Sequence, residues 1–161
     1  MFQVQRYEGT REDTYRLVIQ QLRHLLEDEP DAIANLANAA ALLGQCLDRI
    51  NWVGFYLLKG SELVLGPFQG LPACTRIPVG KGVCGTAVDK RQTILVEDVH
   101  AFPGHIACDA ASNSEIVVPL ISPSTGELLG VLDIDSPEKA RFDEVDQAYL
   151  EQFCEMLVKF I

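Results

Sequence analysis

No apolar run long enough to span a bilayer occurs anywhere in the chain. The opening stretch from Met1 to Glu8 also lacks the apolar core of a secretory signal. The expected location is therefore the cytoplasm. Basic residues are scarce, with 13 Lys and Arg against 23 Asp and Glu and a formal charge of -10. Such a surface repels phosphate backbones and anionic lipid, which argues against nucleic acid and membranes as partners and leaves small zwitterions or cations open. Repeats, linkers and low-complexity tracts are missing. So is any Cys-x-x-Cys pair, although the chain holds five cysteines. The wide intervals separating Cys74, Cys84 and Cys108 are not zinc spacings, and His105 with Cys108 is the one pair that could share a helical face. No metal is expected.

What is present describes one domain, residues 1–161. Hydrophobic residues make up 48% of the chain and charged residues 22%. That balance can bury a core without disulfides or a metal. Thr10-Arg11-Glu12-Asp13 pairs a capping Thr with an acidic first turn. It predicts a helix over 11–27 with Tyr15, Val18, Ile19, Leu22 and Leu25 on one stripe. An Ala-rich helix follows over 32–47. The β-branched and aromatic run 50–58, a turn at 59–62 and the run 63–68 predict an antiparallel hairpin. A Gly-punctuated middle holds a strand at 75–78, a helix at 82–90 and a strand at 93–96. The loop 98–113 is long for a compact domain, which marks it as functional or disordered. Strands at 115–122 and 127–134 are joined by Pro123-Ser124-Thr125-Gly126. A last helix, 143–161, carries Leu150, Phe153, Cys154, Leu157 and Ile161 on one side. The order predicts an α+β domain, a central antiparallel sheet with helices packed on one face.

The cysteines divide by setting. Cys154 sits in the apolar stripe of the last helix and Cys46 near the end of the Ala-rich helix, and both read as core. Cys74, Cys84 and Cys108 lie in loops or at helix starts, outside any periodic stripe. Helix N-termini and nearby cations make thiols nucleophilic, and Arg76 and Lys81 stand close in sequence to two of the three. Spacing alone leaves a redox pair among them and inert thiols equally open. Gly80-Lys81-Gly82-Val83-Cys84-Gly85 has the G-x-G-x-x-G form of a dinucleotide fingerprint. That motif requires a parallel βαβ unit, and the strands here read as antiparallel, so a tight turn beside a pocket is expected instead.

Carboxylates occupy unusual places. In the run 129–136, alternation puts Leu129, Val131, Asp133 and Asp135 on one face and Leu128, Leu132 and Ile134 on the other. Two acids leaving an apolar face suggest a pocket mouth, or a strand end emerging into water. If the two neighbouring strands pair through the 123–126 turn, Glu115 falls near Asp133 or Asp135. Crowded, buried carboxylates cannot all ionise easily, and a protonated one beside a thiolate can act as a general acid. A surface position for Glu115 is the plainer alternative.

Several segments together resemble a known family. They are Leu65-Gly66-Pro67-Phe68-Gln69-Gly70, Ala73-Cys74-Thr75-Arg76-Ile77, Gly80-Lys81-Gly82-Val83-Cys84-Gly85-Thr86-Ala87, Glu97-Asp98-Val99-His100, the run from Phe102 through Cys108 to Glu115, and Gly130-Val131-Leu132-Asp133-Ile134-Asp135-Ser136. They resemble the free methionine-(R)-sulfoxide reductases, enzymes built on a single GAF domain, and the three-cysteine pattern is absent from ordinary GAF sensors. The resemblance implies a GAF-like fold and reduction of free methionine sulfoxide without a bound cofactor. It implies that Cys108 attacks the sulfoxide sulfur and becomes a sulfenic acid, that Cys74 resolves it as a disulfide and that Cys84 is auxiliary. Glu115 matches the acid at the sulfoxide oxygen, Asp133 and Asp135 the carboxylates around the substrate ammonium, and Trp52 and Tyr56 the pocket aromatics. Thioredoxin is the implied electron donor. The alternatives are a small-ligand binding module and a redox sensor without turnover. The N-terminal helices could supply a homodimer interface.

Overall fold

The computed structural model describes residues 2–3 and 9–161. Among them the order is α1 (Arg11–Leu26), α2 (Ala32–Cys46), β1 (Trp52–Lys59), β2 (Glu62–Gln69), β3 (Arg76–Pro78), α3 (Gly82–Lys90), β4 (Ile94–Val96), β5 (Ser114–Ile121), β6 (Leu128–Ser136) and α4 (Glu144–Leu157). Every strand pairing is antiparallel, in the order β3-β2-β1-β6-β5-β4. No helix among the described residues is long and apolar enough to cross a membrane.

Local chemistry accounts for the helix starts. Thr10 and Asp13 form a reciprocal capping box on α1, and Asp143 and Asp146 form another on α4. The Asp31 side chain caps α2 by accepting from the Ala34 N–H. The apolar stripes of α1, α2 and α4 then bury one face of the sheet. Tyr15, Leu22, Leu36, Leu43 and Phe153 meet Phe55, Ile116 and Leu132 there, and Cys154 joins them as expected. Cys46 is half-buried against the same core.

One helix, α3, is placed differently from the sequence reading. The helices-on-one-face arrangement holds for α1, α2 and α4, whereas α3 covers the opposite face with Cys84 and Ala87 against Val117 and Val131. The reason is topological. Strands β3 and β4 lie at opposite edges of the sheet, so the chain between them must cross a face, and α3 makes that crossing. The glycines at its start serve the turn, as expected. A Cβ on Gly85 would stand 2.5 Å from the Pro78 carbonyl oxygen, and Gly80 has a φ of +84°.

A bulge alters the face of two residues. Leu120 pairs with Gly130 and Ile121 with Leu128, leaving Leu129 as the extra residue. Leu128 therefore joins the α3-side cluster and Leu129 packs on the three-helix side, the reverse of strict alternation. Beyond the bulge, Val131 and Asp133 face α3 while Leu132 and Ile134 face the other helices.

A buried polar knot ties the termini of the domain together. Asp146 has no exposure. It accepts from the Tyr15 hydroxyl at 2.6 Å, the Arg11 guanidinium at 3.1 Å and its own cap backbone at Asp143 at 3.0 Å. Arg141, itself buried, stands at 3.4 Å and also donates to the Asp48 backbone oxygen and side chain. Asp146→Ala leaves the buried Tyr15 hydroxyl without its acceptor and the buried Arg141 guanidinium with Asp48 alone. The expected cost is about 3 kcal/mol or more, read as a shift in the urea midpoint.

Candidate active site

Three adjacent central strands form the floor of the site. Trp52 on β1 pairs with Asp135 on β6, and Asp135 pairs with Glu115 on β5. Two residue pairs along, and so on the same face, Gly54 stands opposite Asp133 and Asp133 opposite Val117. Cross-strand partners share a face, so Trp52, Glu115, Asp133 and Asp135 rise from one side of the sheet, the side that α3 covers. Cys84 comes down onto them from the first turn of α3, with its Sγ 3.9 Å from Glu115 Oε1.

Loops supply the other two cysteines. Cys74 follows β2 and Cys108 lies in the 98–113 loop. They form a disulfide with Cα atoms 5.5 Å apart across a sequence separation of 34 residues. Both are half-buried, at the rim of a pocket that they share with Cys84, Glu115, Asp133 and Asp135. All eight residues singled out in the sequence therefore belong to one neighbourhood: Trp52 and Tyr56 line its wall, and Cys74, next to the lining residue Ala73, closes the disulfide at its rim. The pocket measures about 40 Å³. That is well below the roughly 150 Å³ that accommodates a benzene-sized guest, so the pocket is tight in the disulfide form.

The aromatic wall is fixed at both ends. Trp52 stacks on Phe68 and Tyr56, with centroids 5.2 Å and 5.9 Å away, and its Nε1 donates to the Leu71 carbonyl at 3.1 Å. The Tyr56 hydroxyl donates to the Cys74 carbonyl at 2.9 Å, pinning that loop to the sheet. Burial holds the Tyr56 hydroxyl well above its usual range, reinforced by the charge of Asp133, so it stays a donor.

Electrostatically the floor is a crowd of acids. Glu115 and Asp133 are each 6% exposed. Burial pushes Glu115 well above the ordinary carboxyl range, and the neighbouring Asp133 and Asp135 charges push it further. Burial does the same to Asp135, with Asp133 adding to it, and raises Asp133 as well. Burial also drives the Cys84 thiol well above its normal value, helped by the same carboxylates. Among the described residues no Lys or Arg lines the pocket. Arg76, near Cys74 in sequence, instead pairs with Glu62 at 2.7 Å on the surface. A proton-rich pocket that can offset one positive charge follows from this arrangement.

Some functional neighbours were not legible in the sequence. Asn51, just before β1, donates from Nδ2 to Asp109 Oδ2 at 3.0 Å and to the Ser112 hydroxyl at 3.1 Å. It thereby ties the Cys108 loop to the sheet. Asp109 also accepts from the Ala111 N–H at 2.8 Å, an Asx turn whose Asp-x-x signature was the one local clue. Nothing periodic distinguishes Asn51.

Comparison with known proteins agrees with this geometry. The GAF domain family matches residues 10–160. Protein YtsP of Bacillus subtilis is 58% identical over 161 residues, 99% of this chain and 98% of that protein. The free methionine-R-sulfoxide reductase of Escherichia coli is 56% identical over 137 residues, 85% of this chain and 82% of that one. The X-ray structure of free methionine-R-sulfoxide reductase from Neisseria meningitidis in complex with its substrate superposes with a TM-score of 0.94 at 48% identity, covering 99% of this chain and 95% of that chain. The chain therefore belongs to the free methionine-R-sulfoxide reductases, the oxidoreductases built on a GAF domain.

Proposed function

We propose that the protein reduces free L-methionine (R)-sulfoxide to L-methionine, with Cys108 as nucleophile. The observation that carries this reading is the Cys74–Cys108 disulfide at the rim of a buried, acid-floored pocket with an indole wall. In the reduced protein the Cys108 thiolate attacks the sulfoxide sulfur while Glu115 delivers a proton to the sulfoxide oxygen. Methionine leaves and Cys108 keeps the oxygen as a sulfenic acid. The Cys74 thiol then displaces that oxygen as water and closes the disulfide. A thioredoxin-type dithiol restores both thiols by exchange and is itself oxidised. Cys84 is an auxiliary thiol deep in the pocket.

The pocket supports the choice of a free amino acid. Asp133 and Asp135 pair with the substrate ammonium, and the Trp52 face packs against the S-methyl group. A peptide-bound methionine has no ammonium there and would leave buried carboxylates uncompensated. The decisive measurement compares both epimers of free and peptide-bound methionine sulfoxide. Only the free R epimer should turn over, with discrimination of at least ~10²-fold. Comparable rates on a peptide would remove the carboxylates from substrate recognition.

Cys74→Ser separates the steps. Single-turnover methionine formation should survive, while thioredoxin-dependent recycling should slow by about 10²-fold or more. Recycling at the normal rate would assign resolution to Cys84.

A further inference from the structure

We propose that Cys84, Glu115 and Asp133 form a binding site for a soft divalent cation of the zinc type. The three residues come from α3, β5 and β6. One sulfur and two carboxyl oxygens from them all lie within 4.8 Å of one another. They are 4%, 6% and 6% exposed, respectively. Zinc holds a thiolate at about 2.3 Å and carboxylate oxygens at about 2.0–2.2 Å in a tetrahedron. Those bond lengths set a sulfur and an oxygen ligand roughly 3.6 Å apart, and Cys84 Sγ and Glu115 Oε1 stand at 3.9 Å. The Cys84–Glu115 edge of such a site is thus already close to its bonded length.

A second observation points to the same place. Asp133 Oδ1 is buried and has no hydrogen-bond partner among the described residues, on a side chain that lines the pocket. An unpartnered buried carboxyl oxygen is costly, and a cation supplies what it lacks. Among the described residues no Lys or Arg lines the pocket to compete for the acids. Its volume of about 40 Å³ admits roughly three waters at ~10–15 Å³ each, so water completes the coordination as in open zinc sites. Binding exchanges the Cys84 thiol proton for a metal–sulfur bond and releases that proton to solvent.

The donor set stands on its own chemistry, whatever substrate the same acids serve. Where the substrate reading above also holds, a bound cation occupies the ammonium position and excludes the sulfoxide. Binding is tested on the full chain with the Cys74–Cys108 disulfide intact. Cadmium chloride is titrated while the ultraviolet thiolate-to-cadmium charge-transfer band is followed, and zinc chloride is titrated by calorimetry. One equivalent should bind with each ion. Cys84→Ser should abolish the band, and Asp133→Asn should weaken zinc at least ~10-fold. Cys46→Ser, which removes a thiol on the other face of the sheet, should change neither. Wild-type protein without a band, a band that survives Cys84→Ser, or unchanged zinc affinity in Asp133→Asn would overturn the site.

Discussion

Cys108→Ser should leave a folded protein whose single-turnover methionine formation falls by on the order of 10⁴-fold or more, even with a chemical reductant in excess. The serine hydroxyl cannot substitute, because sulfenic acid formation requires a sulfur that accepts the oxygen. The choice of Cys108 over Cys84 has a physical basis. The Cys84 thiol is buried beside Glu115 and Asp133, and both burial and those carboxylates oppose its thiolate. Cys108 is half-buried on a loop, where solvent can stabilise the anion. Cys154 and Cys46 pack with the three-helix core, on the far side of the sheet. If quenched-flow measurement finds methionine released at the wild-type rate from Cys108→Ser, the oxygen passes to another thiol and the assignment fails.

Glu115→Gln should reduce the chemical step by about 10²–10³-fold while leaving the domain at least as stable as before. The two effects separate because the acid is held in an environment that disfavours its ionised form. Its raised value means that folding favours the neutral carboxyl. That contribution is fully present below the ordinary glutamate value and is lost as pH rises through the raised one. At alkaline pH the wild type therefore carries a penalty that a neutral amide does not. Thermal unfolding should show the Gln variant gaining on the wild type as pH increases. The wild-type rate should fall over the same pH range, as the proton donor is lost. A variant with unchanged kcat would remove Glu115 from proton delivery, and one that unfolds at every pH would make it a structural residue.

Parts of this site were readable from the chain alone because short-range rules governed them. The turn at 123–126 pins β5 to β6, so Glu115 had to fall beside Asp133 or Asp135, and it pairs with Asp135. The capping Thr10 and the acidic turn behind it marked the start of α1. The position of α3 was not readable. Its short, Gly-containing segment carries no stripe that names a face, and only the placement of β3 and β4 at opposite edges dictates the crossing. The exchange of Leu128 and Leu129 was hidden because a single bulged residue breaks alternation without altering composition. The pairing of Cys74 with Cys108 rested on family resemblance, since spacing treated three thiols alike. Asn51 and the approach of Cys84 to Glu115 and Asp133 were invisible for one shared reason: their partners arrive from distant parts of the chain.

The site also divides its labour by stiffness. Acids and indole stand on three hydrogen-bonded strands, where a shift of one residue would turn every side chain to the wrong face. The two cysteines of the disulfide hang from loops anchored by a few bonds, among them those from Tyr56 and Asn51. The sheet thus keeps its charge pattern whatever becomes of the bridge, so opening the disulfide need not disturb the strand register beneath it.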